Sequence, residues 1–142
     1  MTEQTAQDDS EQIQHRIRDA AQRGEALLIR GGGTKLNRLG REIKGDILDV
    51  SAHCGVTRYT PEELVVSVRA GTTIASLMNA LRAQGQTLTC EPASLDGCAT
   101  IGGTLACNLS GPARPWGGAI RDAVLGVTLI NGTGELLHYG GT

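Results

Sequence analysis

The chain has 142 residues, a formal net charge of −2 and no phenylalanine, which predicts one domain with an aliphatic core. A net charge this small gives no overall field that would attract nucleic acid or an acidic membrane surface. No apolar run approaches the roughly 20 residues of a membrane-spanning helix. The polar, acidic start of the chain differs from a signal peptide, so we expect a cytoplasmic protein.

The first part of the chain is predicted to contain a flexible tail at residues 1–10, one helix and two short strands. From Ser10 onwards, apolar residues recur at helical spacing, and Gly24 suits the position just beyond a helix end. The stretch EALLIR is typical of a short buried strand that ends at Arg30, directly before three glycines. The stretch GDILDV predicts the next strand.

The middle of the chain is predicted to change direction and then to form a strand and a helix. The stretch HCGVTRYTPEE carries turn residues, and LVVSVR is rich in the β-branched residues of strands. In the helix that follows, Thr72 or Thr73 can cap the N-terminus and Gly85 can end it. Residues 91–135 show little periodicity until GVTLINGTGELLHYGG, which predicts a hairpin with NGTG at its turn.

This order of elements predicts the fold class. Strands do not alternate strictly with helices, which favours an α+β fold with a mixed or antiparallel sheet over a doubly wound parallel sheet. We expect one domain over residues 11–142. It would comprise a small α/β subdomain at residues 11–60 and part of a second subdomain, a sheet with flanking helices, at residues 61–142.

Three glycines, a hydroxyl and a cation follow the first strand, at Gly31, Gly32, Gly33, Thr34 and Lys35. Glycine lets the backbone approach a ligand closely, and successive N–H groups can form an anion-binding nest. The loop has neither the spacing of a Walker loop nor the Rossmann fingerprint. The pattern suits a pyrophosphate, with a flexible surface loop as the alternative.

The other chemically active residues form no catalytic or metal-ligating pattern. The chain has four cysteines, Cys54, Cys90, Cys98 and Cys107. Their spacing fits no metal motif, so we expect free, partly buried thiols and no metal. We expect no catalytic role for His15, His53 or His138, because nothing near them in sequence forms a triad. Trp116 is expected to pack as an apolar side chain rather than to stack on a ligand.

Two glycine-rich stretches together resemble a known family. RGGGTK and the later stretch ATIGGTLACNLSGPARPWGGAIRDAVLGVTLINGTGELLHYGG are similar to the flavin-binding domain of the p-cresol methylhydroxylase and vanillyl-alcohol oxidase family. Within the later stretch, LSGPARPWGGAIRDAVLG most resembles the FAD-binding subunits of bacterial glycolate oxidases. The resemblance covers about residues 10–142. Family members are longer, so we expect this chain to be the N-terminal portion of the domain, truncated at its C-terminus.

The resemblance implies FAD-binding roles for residues in both stretches. Residues 31–35 match the loop around the FAD pyrophosphate, residues 100–103 a second flavin-contacting turn, and residues 108–111 a segment near the ribityl chain and ring. Arg121 belongs to a G-x-x-x-R-D step, and Val127 begins a strand near the adenine. The matched residues are Gly31, Gly32, Gly33, Thr34, Lys35, Thr100, Ile101, Gly102, Gly103, Asn108, Ser110, Gly111, Arg121 and Val127. The residues alone leave two alternatives open: Arg121 and Asp122 form a surface ion pair, and Asn108 caps a local turn.

The resemblance also implies a cofactor, a reaction and partners. Thr34 and Lys35 follow the glycines, where some family members carry a histidine that anchors the flavin, so noncovalent FAD is expected. The implied enzyme oxidises a 2-hydroxy acid, glycolate to glyoxylate, together with a second flavin subunit and an iron–sulfur subunit. Those partners could bring it to the inner face of the membrane. The family's substrate-side residues have no counterpart here, so catalytic residues stay unassigned.

Two alternatives to this function remain. One is another oxidase or dehydrogenase of the same family, such as a D-lactate dehydrogenase or an alkylglycerone-phosphate synthase. The other is a noncatalytic interaction module in which FAD is absent or structural.

Overall fold

A computed structural model describes residues 5–36 and 44–141 of the chain. Residues 1–4 of the expected tail, residues 37–43 after the glycine loop and residue 142 lie outside the described part. The helices and strands are, in chain order, α1 (Ser10–Arg23), β1 (Leu27–Arg30), β2 (Asp46–Asp49), β3 (Val56–Thr60), β4 (Val65–Val68), α2 (Ile74–Arg82), α3 (Ile101–Ala106), α4 (Arg114–Gly117), β5 (Gly126–Ile130) and β6 (Leu136–Gly140). Two 3₁₀ turns lie at Pro61–Glu63 and Ile120–Ala123.

Helix α1 and the strands β1 and β2 form where the sequence predicts a helix and two strands. Gly24 follows α1 with a φ of +67°, and its N–H donates to the carbonyl of Ala21, so this glycine ends the helix. Strands β1 and β2 are parallel, with Leu28 opposite Ile47. Strand β1 ends at Arg30, and the glycine loop begins at the next residue.

The described part of the expected flexible tail is attached to the domain. Gln7 exchanges two backbone hydrogen bonds with Cys54, at 3.0 and 3.2 Å. The carboxylate of Asp8 pairs with Arg69 at 2.7 Å. Backbone pairing and a salt bridge therefore connect this segment to the domain, while the flexibility of residues 1–10 stays a prediction.

Strands β3 and β4 form an antiparallel hairpin with a register shift between Val56 and Arg58. The sequence predicts turns where β3 lies, because the residues of β3 are mostly polar. The register shift also interrupts the regular pairing of this strand. The expected subdomain boundary after residue 60 falls inside the hairpin, between β3 and the 3₁₀ turn. The division into two subdomains stays a prediction.

Helices α2 and α3 are joined at their N-termini, next to the core. Thr73 caps α2, since its hydroxyl accepts from the N–H of Ser76, and the core includes Ile74 and Leu77, both 1% exposed. The N–H of Ile74 donates to the carbonyl of Ala99 at 2.8 Å. These contacts place the start of α3 beside that of α2.

The remaining chain consists of short turns and the β5–β6 hairpin, with Val127 opposite Tyr139. The predicted hairpin is confirmed, and Gly134 closes its NGTG turn by donating to the carbonyl of Asn131. Trp116 is 87% exposed. The expectation that Trp116 packs as an apolar side chain is therefore wrong, because the single turn of α4 presents it to solvent.

The described strands form three separate pairs, of which β1–β2 is parallel and the other two are antiparallel. Together with the helices, these pairs make an α+β fold, as expected. Within residues 5–36 and 44–141, every helix is too short or too polar to cross a membrane.

Candidate functional site

The glycine loop packs against the segment that leads into α3. A Cβ on Gly31 would lie 2.5 Å from the hydroxyl oxygen of Thr100, and one on Gly32 would overlap the carbonyl oxygen of Cys98. A Cβ on Gly33 would make only ordinary contact with the Arg30 side chain, at 3.7 Å, but the φ of +68° at Gly33 favours glycine. Packing within the chain therefore requires glycine at positions 31 and 32. From the sequence alone, these glycines were explained by close approach of a ligand.

The backbone N–H groups of this loop have no protein acceptor in the described part of the chain. None of the N–H groups of Gly31, Gly32, Gly33, Thr34 and Lys35 donates a hydrogen bond to a described residue. These residues are half-buried or exposed, so the donors can reach solvent or a ligand. Five successive donors without an acceptor among the described residues, called the free N–H groups below, are suited to hold an anion.

Lys35 lies against the first turn of α3. Its Nζ is 3.4 Å from the hydroxyl oxygen of Thr104, and a Cβ on Gly103 would be 4.0 Å from the same nitrogen. Among the described residues, no carboxylate forms an ion pair with Lys35. The ammonium charge therefore lies beside the loop without a counter-ion among the described residues.

Residues 100–103 are the start of a helix, where the sequence predicts a turn. The hydroxyl of Thr100 caps α3 by accepting from the N–H of Gly103. The N–H of Ile101 donates to the carbonyl of Thr72 at 2.8 Å, and Gly102 donates to a neighbouring carbonyl at 2.9 Å. These N–H groups are already paired, so this element can shape the site but offers few backbone donors.

Asn108 follows α3 and carries an unpaired buried atom. Its Oδ1 is buried and has no hydrogen-bond partner among the described residues. Its backbone has a φ of +46°, and its N–H donates to the carbonyl of Leu105. The side-chain oxygen does not cap a turn, which was the alternative interpretation. A buried amide oxygen without a partner costs free energy unless a ligand donates to it.

Ser110 and Gly111 fix the chain after Asn108. The hydroxyl of Ser110 accepts from the N–H of Ile120 at 2.9 Å. Gly111 donates to the carbonyl of Cys90 at 2.8 Å, and a Cβ at Gly111 would overlap the carbonyl oxygen of Glu91. Both residues therefore have clear structural roles, and their predicted contact with FAD stays a prediction.

Arg121 and Val127 are not joined to the glycine loop by any hydrogen bond or ion pair in the structure. The Nε of Arg121 lies 3.4 Å from the carboxylate of Asp122, and both side chains are exposed. This is the surface ion pair that the sequence analysis gave as an alternative to a role in FAD binding. Val127 is 40% exposed in β5. Roles toward FAD for these two residues stay predictions.

The structure adds two participants that sequence reasoning did not include. Thr104 is fully buried and contacts Lys35. The carbonyl of Cys98 packs against Gly32, where it leaves no room for a side chain. Thr104 follows the helix cap Thr100 by four residues, so the two would share a helix face. That spacing could have identified Thr104, had a helix been predicted there.

The histidines and cysteines lie outside this arrangement or are locally engaged. His15 is 3.3 Å from Asp19, and His138 is 2.9 Å from the hydroxyl of Thr128. His53 accepts from the N–H of Asp9, and burial lowers its pKa below the usual value. The four cysteines are free, and no His, Cys, Asp or Glu cluster suited to a metal is found in the described residues.

Comparison with known proteins identifies the family. The sequence model described as "FAD binding domain" matches residues 6–140. The chain belongs to this FAD-binding family. The match confirms the resemblance to a flavin-binding domain, and FAD is the cofactor of this domain.

Individual proteins of known name are also similar to this chain. The chain is 42% identical over 134 residues to the glycolate oxidase subunit GlcE of Escherichia coli strain K12, covering 94% of this chain and 38% of that protein. Among solved structures, an alkyldihydroxyacetonephosphate synthase matches with a TM-score of 0.72 at 20% identity, over 93% of this chain and 24% of that one. The grass pollen allergen Phl p 4, titled as having glucose dehydrogenase activity, matches with a TM-score of 0.76 at 18% identity, over 94% of this chain and 28% of that one. The two structures support the fold alone.

The residues of this FAD-binding domain fit the cofactor in two respects. The free N–H groups of residues 31–35 and the ammonium of Lys35 suit a diphosphate. The unpaired oxygen of Asn108 suits a hydroxyl or ring N–H donor. The N–H groups and the Asn108 oxygen have no partner among the described residues, and the Lys35 ammonium has no carboxylate partner there.

Proposed function

We propose that the chain holds FAD without a covalent bond and serves as the FAD-binding part of an oxidoreductase that acts on a 2-hydroxy acid of the glycolate type. The observation that carries the cofactor part is the row of free N–H groups at residues 31–35, next to the ammonium of Lys35, which contacts Thr104 but no carboxylate among the described residues. Hydrogen bonds from donors to a charged oxygen are stronger than neutral ones, and the diphosphate is the most highly charged part of FAD.

The remaining predicted contacts concern the other parts of FAD, once its diphosphate is placed at residues 31–35. We propose that residues 100–103 form one wall of the site and that Asn108 Oδ1 accepts from a ribityl hydroxyl or from the flavin ring. Ser110 and Gly111 would hold the segment that carries Asn108. For Arg121 and Val127, a position near the adenine rests on the family resemblance alone.

The reaction belongs to the flavin, which accepts a hydride equivalent from the α-carbon of the substrate when it is bound. This chain's residues would bind and orient the cofactor, and catalytic residues stay unassigned. The name of the Escherichia coli relative supports a role as one subunit of an assembly. A second flavin subunit, an iron–sulfur subunit and a cytoplasmic location at the inner membrane face complete the proposal.

Flavin binding tests the proposal directly. The purified chain is mixed with FAD, desalted and examined by absorbance. Flavin bands near one equivalent are expected, and acid precipitation should then release all the flavin into the supernatant. A colourless protein would contradict FAD binding, and flavin retained in the pellet would contradict the noncovalent mode.

A ligand series tests which part of FAD provides the affinity. FAD, FMN and riboflavin share the ring and ribityl chain, but only FAD has the diphosphate. We expect the dissociation constants to rise in the order FAD, FMN, riboflavin, because the charged contacts at residues 31–35 are lost stepwise. Riboflavin that binds as tightly as FAD would contradict a diphosphate site at this loop.

A further inference from the structure

Thr104 is a fully buried threonine whose hydroxyl has one hydrogen-bond partner among the described residues. Its relative exposure is 0%, and the partner is the Nζ of Lys35 at 3.4 Å. Valine has nearly the same shape and would fill the same space without burying a hydroxyl. Packing alone therefore does not account for a threonine at this position.

Lys35 needs an anchor if its charge is to stay beside the loop. A lysine side chain has a flexible four-carbon stem and loses much rotamer freedom when it is held in one place. No described carboxylate holds it. The ammonium also lies next to Gly103, 4.0 Å from where a Cβ at that position would be. Among the described side chains, Thr104 is the one that forms a hydrogen bond with the Lys35 ammonium.

We propose that Thr104 is a positioning residue for Lys35. Its buried hydroxyl accepts a hydrogen bond from the ammonium and holds the charge at the first turn of α3, next to the free N–H groups of residues 31–35. The anion site is thereby formed before a diphosphate arrives, and Thr104 itself does not contact the cofactor. This inference rests on the proposed function, because the diphosphate is that of FAD.

The contact can be tested without FAD, because the chain contains only two lysines, Lys35 and Lys44. With ¹³C-labelled lysine, the order parameter of each side-chain Cε is measured by NMR, and exposed Lys44 is the internal reference. We expect Lys35 to be more ordered than Lys44 in the wild type and in Thr104→Ser. In Thr104→Val, Lys35 should become as mobile as Lys44. An unchanged Lys35 in Thr104→Val would overturn the proposal.

A double-mutant cycle tests the consequence for FAD. Dissociation constants are measured for the wild type, Thr104→Val, Lys35→Met and the double variant, with Lys44→Met as the matched lysine control. Thr104→Val should weaken binding about 3- to 10-fold, Thr104→Ser should restore it, and Thr104→Val should add nothing in the Lys35→Met background. Losses that add independently would overturn the proposal, since Thr104 would then act without Lys35.

The two measurements separate this inference from the proposed function. A wild-type chain that binds no FAD contradicts the proposed function, while the lysine order parameters still decide the Thr104–Lys35 contact. Circular dichroism of each variant checks that the fold is retained. Normal FAD binding together with a mobile Lys35 in the wild type would contradict this inference alone.

Discussion

Gly32 has no room for a side chain, because a Cβ at this position would overlap the carbonyl oxygen of Cys98. Gly32→Ala should therefore lower the free energy of unfolding by about 1–3 kcal/mol, as overpacking does elsewhere. Gly132→Ala is the matched control, since a Cβ there meets nothing within 4 Å. Urea denaturation of both variants and the wild type provides the measurement. Equal stability of Gly32→Ala and the wild type would contradict the close packing of the loop.

This packing changes how a Gly32 variant that fails to bind flavin should be interpreted. The sequence alone suggests that a side chain at Gly32 blocks the ligand and leaves the fold intact. The structure shows that a side chain at position 32 would collide with the backbone carbonyl of Cys98, so it would disturb the fold as well. Loss of flavin in such a variant would therefore not locate the diphosphate, which is why the ligand series and Lys35 are the sharper tests.

Asn108 combines an unpaired buried oxygen with a φ of +46°. Asn108→Gly removes the unpaired oxygen and relieves the backbone conformation, while it also increases the freedom of the unfolded chain. We expect the unfolding free energy without FAD to change by less than about 1 kcal/mol, and the FAD dissociation constant to rise about 10-fold. Asn79→Ala, on the exposed side of α2, should leave the FAD dissociation constant unchanged and raise the unfolding free energy by about 0.5 kcal/mol through helix propensity. An unaltered FAD dissociation constant in Asn108→Gly would show that this oxygen is not a ligand contact.

At the scale of elements, the parts predicted from sequence are those with a local signal. Helix α1 is marked by periodicity and Gly24, helix α2 by its Thr73 cap, and the β5–β6 hairpin by the NGTG turn. Each of these signals lies within about a dozen residues. The sequence was sufficient for these elements and for the α+β class.

The elements that were missed depend on distant contacts. Helix α3 begins with Ile101 and two glycines, which are poor helix formers. It forms where Ile101 and Gly102 donate to carbonyls near the start of α2. The attachment of the N-terminal segment through Gln7 likewise depends on Cys54, far away in sequence. Residue patterns named candidates such as residues 31–35 and Asn108, whose contacts with FAD stay predictions. They could not show which N–H groups lack an acceptor among the described residues.

The salt bridge between Arg30 and Asp49 joins the ends of β1 and β2, at 2.7 Å, just before the glycine loop. Hydrogen bonds from the hydroxyl of Ser51 and from Arg30 hold the pKa of Asp49 at about 2, below its usual 3.8. Because the folded pKa lies below the unfolded one, the ionised carboxylate stabilises the fold above pH 4. That contribution is lost as the pH falls from about 4 to 2.

Asp49→Asn tests this pH dependence. The wild type should be more stable than Asp49→Asn at neutral pH, and the difference between their unfolding free energies should shrink as the pH falls from about 4 to 2. The difference should also be modest and should decrease with salt, since both side chains are well exposed. Urea denaturation at a series of pH values measures it, and Asp96→Asn controls for the loss of a surface charge. A difference that stays constant down to pH 2 would contradict the role of Asp49.

At the scale of the whole molecule, the chain spans 38% of the length of its Escherichia coli relative, and its surface carries large apolar side chains. On one face of the β5–β6 hairpin, Val127 lies opposite Tyr139, and Leu129 is the next residue on the same face. Their exposed fractions are 40%, 56% and 37%. A contiguous patch of this kind differs from a single exposed side chain, because it can bind another apolar surface.

This hairpin face should therefore bind a hydrophobic dye in the isolated chain. Replacing the cross-strand pair by Val127→Thr and Tyr139→Thr keeps residues that favour strands but removes most of the apolar area. We expect lower fluorescence of the bound dye and less concentration-dependent association in sedimentation velocity. Leu64→Asn is the control: Leu64 is 77% exposed, with a φ of +57°, in the connection between β3 and β4 rather than in the β5–β6 hairpin, so its removal should change little. Equal effects of the two changes would mean that total exposed apolar area, rather than a contiguous hairpin face, governs what this chain binds.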